Sequence, residues 1–193
     1  TDTTVQGYHQ PMRVAGLAYG GVDLLQWGRK EHAVDFFDVK GDVEALLAPL
    51  SARFEPAEHP AMHPGRCARV CLGERVIGHV GELHPRWRQA WELPQAPVLF
   101  ELELDAVLQR PVSRFAPVPK HQTVERDLAV VVAEAVTHGA IMGAIRAALP
   151  TELLRDAVLF DVFRPQQGKG VQVGSAGLEL GEKSLAVRLT LGG

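Results

Sequence analysis

The strongest constraint on the fold is a run of three β-like segments and one helix in the C-terminal half of the chain. Val124–Phe163 begins with a strand-like stretch, continues through a helical one and ends in a second strand-like stretch. Another strand-like stretch, Glu182–Leu191, follows a glycine-rich gap. Alternation with period two indicates the strands, and spacing of about 3.6 residues indicates the helix. The order strand, helix, strand, strand predicts most of a split βαβ sandwich.

Capping and breaking residues define the helix of this segment. Thr137 is expected to be the N-cap of a helix over residues 138–149, because its side-chain oxygen can accept a hydrogen bond from a free backbone N–H. Pro150 is expected to end that helix. The predicted strands around it are 127–133, 153–163 and 184–191.

The first 109 residues predict a mostly antiparallel sheet with two or three short helices. Val34–Val39 is interpreted as a strand with two aromatic residues, and Asp42 as the N-cap of a helix over 43–50. Gly73-Glu74 is a two-residue connection suited to a hairpin. The other expected strands are 14–19, 53–58, 66–72, 75–83 and 97–105, with a helix from Pro85 to Trp91.

A segment with three prolines, Gln109–Pro119, predicts a linker between two domains, 1–109 and 110–193. The hydrophobic content of 46% is sufficient for a real core. The net charge of −3 gives no overall electrostatic argument for nucleic acid. No stretch approaches the roughly 20 apolar residues of a transmembrane helix, and no signal peptide is recognisable. A cytoplasmic protein with reduced thiols is expected.

One cluster of potential ligands raises the question of a metal site. It consists of His63, Cys67, Cys71, His79 and His84. The Cys-x3-Cys spacing along one strand does not converge on a tetrahedral point, and no Cys-x2-Cys motif is present. Buried thiols are therefore preferred over a zinc site. The sequence also contains no phosphate-binding glycine loop and no nucleophile elbow, so no catalytic site is predicted.

Strand parity predicts one open face of the C-terminal sheet. If the larger aliphatic residues pack under the helix, the opposite face carries Ala129, Asp161, Phe163, Arg188 and Thr190. Val158, Phe160 and Val162 are assigned to the helix side by the same count. An aromatic ring for stacking and polar groups for base edges are typical of surfaces that bind single-stranded RNA. An ordinary solvated sheet face is the alternative interpretation, and pattern alone favours it.

Several motifs in order resemble the family of bacterial phenylalanine–tRNA ligase β subunits. Those in the C-terminal part resemble its ferredoxin-fold anticodon-binding domain, and those in the first part resemble the preceding domain of the same subunit. The motifs are Val34-Asp-Phe-Phe-Asp-Val-Lys-Gly41, His63-Pro-Gly-Arg66, Ile77-Gly-His-Val-Gly-Glu-Leu-His-Pro85, Val124-Glu-Arg-Asp-Leu-Ala-Val-Val-Val132, Leu159-Phe-Asp-Val-Phe163 and Lys183-Ser-Leu-Ala-Val-Arg-Leu189.

The resemblance implies an α+β fold in two parts. Residues 1–109 would form a class II synthetase-like, antiparallel-sheet domain without catalytic residues, and residues 110–193 an incomplete ferredoxin-like βαββ sandwich. It implies a role in the ATP-dependent attachment of phenylalanine to its tRNA, within a complex of two α and two β subunits. The α subunit and the tRNA are the implied partners. ATP and magnesium would be bound elsewhere in that complex, with no cofactor and no metal in this chain.

The resemblance also implies particular RNA contacts. A small residue in the first strand and the Asp of the Phe-Asp-Val motif approach the first anticodon base in the family, and these positions match Ala129 and Asp161. A carboxylate can accept from the N1–H and N2–H groups of guanine. The further residues assigned to the RNA face are Phe163, Arg188, Lys183 and Arg164.

The chain departs from the family in several respects. Glu125 stands where a basic residue is usual, and His121-Gln122 where an aromatic residue followed by proline is common. Gln166–Gly181 is a longer insertion than usual, and the last helix and strand of the family's domain do not follow Leu191. The chain is therefore expected to be a fragment of a longer subunit, with an open core that self-association would cover. The alternative function is a protein-interaction fragment that docks a partner through residues 1–109 and binds no RNA.

Overall fold

The computed structural model describes residues 4–5, 7–24, 26–28, 30–112, 115, 122–165, 178 and 181–192. The chain forms two compact units, Thr1–Ser113 and Arg114–Gly193, here called the N-terminal unit and the C-terminal unit. Much of the linker expected at Gln109–Pro119, and nearly all of the insertion Gln166–Gly181, lie outside the described residues.

The N-terminal unit is built on a five-stranded antiparallel sheet, as the alternating pattern predicts. A short pair, β1 (Thr4–Val5) and β2 (Tyr8–His9), precedes it. The five strands are β3 (Arg13–Ala18), β4 (Arg53–Pro56), β5 (Met62–Leu72), β6 (Arg75–Leu83) and β7 (Val98–Glu103). Their order across the sheet is β3-β7-β6-β5-β4.

Helix α1 of this unit (Phe36–Leu47) begins earlier than the sequence predicts. The expected strand at 34–39 and the expected N-cap Asp42 are both wrong, because Asp35 caps the helix. The Asp35 carboxylate accepts from the backbone N–H groups of Phe37 and Asp38, at 2.7 and 3.2 Å. The Asp38 carboxylate accepts in return from the Asp35 N–H at 2.8 Å, which completes a capping box.

The core of the N-terminal unit lies between α1 and one face of the sheet. Val39, Val43 and Leu47 recur at helical spacing and are almost completely buried. They join a cluster of buried strand residues that includes Val70, Ile77, Val80, Val98 and Leu102. Burial of a large aliphatic side chain contributes about 1.5–3 kcal/mol, so this stripe of α1 holds the helix on the sheet.

Most remaining elements of the N-terminal unit follow the sequence, although β5 begins at Met62, four residues before the expected start at 66. The hairpin between β5 and β6 turns at Gly73-Glu74 as predicted, with Gly73 at a φ of +58°. Helix α2 (Pro85–Ala90) starts with proline at its first position. Strand β7 is shorter than expected, because the chain enters a one-turn helix, α3 (Leu104–Val107).

The C-terminal unit has the predicted order strand, helix, strand, strand. Its elements are β8 (Val124–Ala133), α4 (His138–Ala148), β9 (Leu154–Phe163) and β10 (Glu182–Leu191). The sheet order is β8-β10-β9, with β10 antiparallel to both neighbours. Strands β8 and β9 are therefore parallel to each other and linked by α4.

Helix α4 covers one side of this three-stranded sheet. The Thr137 hydroxyl accepts from the backbone N–H of Ala140 at 3.2 Å, so Thr137 is the N-cap as predicted. Met142 of α4 is buried, and so are Leu185 and Val187 of the central strand β10. The side of the sheet that carries Leu185 and Val187 is thus the covered one. No helix among the described residues is long and apolar enough to cross a membrane.

Candidate nucleic-acid interface

The uncovered side of the C-terminal sheet, here called the open face, has two alanines and one carboxylate in a row. Ala186 of β10 pairs with Ala129 of β8 on one side and with Asp161 of β9 on the other. Directly paired residues of an antiparallel ladder project to the same side of the sheet. The row therefore forms a flat floor of two methyl groups with the Asp161 carboxylate at one end.

A β-bulge in β9 adds an aromatic ring beside that carboxylate. Asp161 pairs with Ala186, but the next pair along the ladder is Leu159 with Val187, so Phe160 is an extra residue opposite Ala186. The two bulged residues lie on the same side of a strand instead of alternating. Phe160 is consequently on the open face, where 53% of its surface is exposed.

The bulge also overturns part of the parity count. Val158 and Phe160 are on the open face, because Val158 pairs with Arg188 and the Phe160 ring lies under the guanidinium of that arginine. Val162 pairs with Leu185 on the covered side, as expected. A count of alternate residues fails for Val158 and Phe160 because one inserted residue inverts the parity of everything before it.

The neighbouring row of the open face supplies a second aromatic ring. Ser184 pairs with Val131 on one side and with Phe163 on the other. Phe163 and Val131 are each about half exposed. Two exposed rings thus flank the row of Ala129, Ala186 and Asp161.

An ion-pair network of Arg188, Asp127 and Glu125 lies at the other end of the open face. The Arg188 Nε and Nη2 groups donate to the two Asp127 carboxylate oxygens, at 2.8 and 2.9 Å. Arg188 Nη1 is also 3.8 Å from Glu125 Oε2. Hydrogen bonding to Arg188 lowers the pKa of Asp127, and hydrogen bonding to Asp127 raises the pKa of Arg188.

This network changes the role expected for Arg188. Its guanidinium is held by two hydrogen bonds to one carboxylate and is close to a second, so its charge is compensated within the protein. The guanidinium also lies over the Phe160 ring, with 5.3 Å between Cζ and the ring centroid. Arg188 is thus a fixed planar group rather than a free cation.

Lys183 and Arg164 are placed apart from the row. Lys183 pairs with Val132 on the covered side and is only 8% exposed. Its Nζ donates to the Glu134 carbonyl at 2.7 Å. Arg164 donates from Nε to both Glu134 carboxylate oxygens, at 3.0 and 3.2 Å. The position of Lys183 argues against the RNA contact expected for it, whereas Arg164 is exposed next to Phe163.

The open face is suited to binding unstacked bases. It combines exposed rings, a carboxylate that accepts hydrogen bonds and a floor without bulky side chains, which are the groups that read single-stranded RNA. Of the site residues expected from the sequence, Ala129, Asp161, Phe163 and Arg188 lie on this face. Sequence reasoning missed Phe160 and Asp127. Asp127 could have been assigned to this face by parity, because it is two residues before Ala129 on β8, but no sequence signal indicates the bulge.

The N-terminal unit contains a separate groove of about 900 Å³ beside the start of α1. Its lining is mostly apolar and also includes charged residues. Its lining includes Phe36, Phe37, Phe54, Pro56, Lys40, Glu58, Arg66 and Glu82. Phe37 is 73% exposed at this edge.

The histidine and cysteine cluster assembles no metal site in the described part of the chain. No three His, Cys, Asp or Glu side chains there are placed to share an ion. Cys67 and Cys71 are buried free thiols, and burial raises the pKa of Cys67. His79 instead contacts His59, with 5.2 Å between ring centroids.

Two family models match the chain. The model described as phenylalanyl tRNA synthetase beta chain CLM domain matches residues 1–104. The model described as ferredoxin-fold anticodon binding domain matches residues 119–192. The second match contains the open face with all of its paired rows.

The chain is also similar to curated proteins named phenylalanine–tRNA ligase beta subunit. The one from Cupriavidus pinatubonensis is 51% identical over 192 residues, which are 97% of this chain and 23% of the relative. Those from Ralstonia nicotianae and Burkholderia lata are each 50% identical, over 97% and 98% of this chain and 23% of each relative. The chain therefore spans about a quarter of the length of these relatives.

Proposed function

Because the chain belongs to the phenylalanyl tRNA synthetase beta chain CLM domain family, we propose that it acts within the β subunit of a phenylalanine–tRNA ligase. Its contribution is recognition of the tRNA anticodon and packing against the α subunit. The ATP-dependent attachment of phenylalanine then takes place on the α subunit of a complex of two α and two β chains, and ATP and magnesium are bound outside this chain.

The observation that carries the RNA-binding role is the row of Ala129, Ala186 and Asp161. Its methyl floor lets a flat base approach the backbone of the sheet closely, and the Asp161 carboxylate is exposed at the end of the row. The exposed Phe163 ring in the next row provides a surface for stacking. These side chains come from three strands, so the fold and not a local motif brings them together.

The carboxylate gives the row a preference for guanine at the first anticodon position. An ionised carboxylate only accepts hydrogen bonds, and the Watson–Crick edge of guanine presents two adjacent donors, N1–H and N2–H. Adenine presents an acceptor at N1, which a carboxylate repels. Inosine keeps N1–H but lacks the N2 amino group. A comparison of guanine with inosine therefore measures the contact to N2–H alone.

The test compares three anticodon stem-loops with guanine, inosine or adenine at the first anticodon position. Dissociation constants are measured for the unmodified chain and for Asp161→Asn. A hydrogen bond to a charged group contributes about 1.5–3 kcal/mol, so the unmodified chain is expected to prefer guanine over inosine by about 10- to 150-fold. Asp161→Asn is expected to remove most of that preference.

Asp156→Asn is the matched control, because Asp156 is an exposed carboxylate of the same strand and pairs with Thr190 of β10. It is expected to leave the preference for guanine unchanged. Ala129→Leu places a branched side chain on the floor and is expected to weaken binding of all three stem-loops. Equal preferences in the unmodified chain and in Asp161→Asn would contradict the assignment of Asp161.

For the N-terminal unit, we propose a class II synthetase-like fold that packs against the catalytic α subunit. The five-stranded antiparallel sheet with α1 on one face supports the fold. The groove beside α1 supports the docking role, since exposed aromatic side chains such as Phe37 are enriched at protein interfaces.

The docking role is tested by co-expression of the chain with a phenylalanine–tRNA ligase α subunit and measurement of the fraction that co-purifies. Phe37→Ser is expected to reduce that fraction. Trp91→Ser is the control, because Trp91 is also exposed but belongs to the region of α2, away from the groove. Equal co-purification of the Phe37→Ser and unmodified chains would contradict the assignment of the groove.

A further inference from the structure

The bulge of β9 creates a second group of planar side chains on the open face, next to the Asp161 row. Phe160 is the extra residue opposite Ala186, and the Arg188 guanidinium lies over its ring. Arg188 sits one row further along the sheet, paired with Val158 and Asp127. This pair of planar groups is therefore on the opposite side of Asp161 from the Phe163 ring.

The position of the Arg188 plane is fixed before any ligand arrives. Both of its hydrogen bonds to Asp127 have short, charge-assisted geometry. A bidentate contact to a carboxylate sets the orientation of the guanidinium as well as its location. About half of the surface of Phe160 is exposed beside this guanidinium. A planar ligand that contacts this group would thus not need to order the side chains.

We propose that Phe160 and Arg188 form a second base-stacking site, which holds an unstacked RNA base that neighbours the base bound at Asp161. The proposal rests on the anticodon-binding role of the open face and adds a second base to it. Phe160 provides the ring surface. Asp127 is a positioning residue that holds Arg188 in the plane of the site.

The charges around the site favour a base over a phosphate. Asp127 and Glu125 compensate Arg188, and Asp161 is adjacent on the same face. A phosphate at this place would meet three carboxylates and one arginine that is already paired. A neutral base has a π-face for the ring and guanidinium, and its edge donors can meet the carboxylates.

The experiment measures the affinity of each protein variant for stem-loops that lack one base. Each loop position of the anticodon stem-loop is replaced in turn by an abasic nucleotide, and affinities are measured for the unmodified chain, Phe160→Leu and Asp161→Asn. Loss of one base–aromatic stack is expected to weaken binding of the intact stem-loop by about 5- to 150-fold. One abasic position should suppress the effect of Phe160→Leu, and an adjacent position should suppress the effect of Asp161→Asn.

Leu128→Ala is the control for general damage to the sheet, since Leu128 is about as exposed as Phe160 but lies on the covered side of β8. It is expected to weaken binding of intact and abasic stem-loops equally or not at all. If Phe160→Leu also weakens binding of intact and abasic stem-loops equally, or does not weaken it, the second stacking site is refuted. The role of Asp161 is unaffected by that result. If the unmodified chain binds no stem-loop, the anticodon-binding role fails and this proposal fails with it.

Salt dependence separates stacking from a phosphate contact. The slope of log K against log salt changes by about 0.7 for each phosphate contact to a single strand. Arg188→Met is expected to weaken binding without changing that slope, and the abasic position that suppresses Phe160→Leu should suppress it as well. A slope reduced by about 0.7 would show that Arg188 binds phosphate and would overturn the stacking site.

Discussion

The capping box of α1 gives a sharp prediction, because the structure and the sequence pattern place the start of this helix seven residues apart. Asp35→Ala removes the two hydrogen bonds that the Asp35 carboxylate accepts from Phe37 and Asp38. Replacement of an N-cap aspartate by alanine costs about 1 kcal/mol, within a range of about 0.5–2 kcal/mol. The value should lie in the upper half of that range, since the first turn leads directly to the buried Val39.

Asp42→Ala is the discriminating control. The structure places Asp42 in the interior of α1 on its exposed side. Alanine has a higher helix propensity than aspartate by up to about 0.7 kcal/mol. This substitution is therefore expected to leave the free energy of unfolding unchanged or to raise it slightly. If Asp42 were the N-cap, as the sequence pattern suggests, the substitution would lower it by about 1 kcal/mol.

Tryptophan fluorescence during urea unfolding provides the assay. All three tryptophans, Trp27, Trp87 and Trp91, belong to the N-terminal unit, so the signal reports on the unit that contains α1. The unfolding free energies of the two variants are compared with that of the unmodified chain. A loss for Asp42→Ala that equals or exceeds the loss for Asp35→Ala would refute the assigned start of α1.

Two further predictions use the same assay. A Cβ at Gly78 would lie 2.0 Å from the Glu101 carbonyl oxygen, so Gly78→Ala should unfold or strongly destabilise the N-terminal unit. A Cβ at Gly41 would meet no atom within 4 Å, so Gly41→Ala should stabilise α1 by up to about 1 kcal/mol. A Gly78→Ala chain as stable as the unmodified one would contradict the β6–β7 register. Burial and the neighbouring His59 lower the pKa of His79 below its ordinary 6.5, so the unfolded chain binds a proton that the folded chain resists. The free energy of unfolding should therefore fall as pH drops below about 6.5, and it should fall less in His79→Gln. Equal declines in the two chains would contradict the lowered pKa of His79.

The sequence predicts strands such as β3 and β10 because one side of each is more buried than the other and their residues alternate accordingly. The hairpin at Gly73-Glu74 and the cap at Thr137 also follow from local signals. The sequence mispredicts the first turn of α1 because Val34–Val39 is rich in β-branched and aromatic residues, which favour a strand. The hydrogen bonds that decide its conformation come from the Asp35 side chain. Helix and strand patterns are ambiguous over such short windows.

The candidate site was only partly predictable for a different reason. Parity assigns Ala129, Asp161, Phe163 and Arg188 to one face, and they do lie on one face. The family resemblance points to two of them, Ala129 and Asp161. Phe160 was assigned to the wrong side, since the bulge that moves it depends on the pairing of β9 with β10 and leaves no mark in the residues themselves. The compensation of Arg188 by Asp127 likewise depends on register between strands.

The central position of β10 has a consequence for the order in which the C-terminal unit folds. In the described part of this unit, β8 and β9 pair only with β10, and Ala129 meets its partner Ala186 across 57 positions of chain. During synthesis, both earlier strands leave the ribosome before either has a neighbour. Long-range pairing of this kind slows folding and leaves edges exposed meanwhile. The open face is therefore assembled only after β10 has been made.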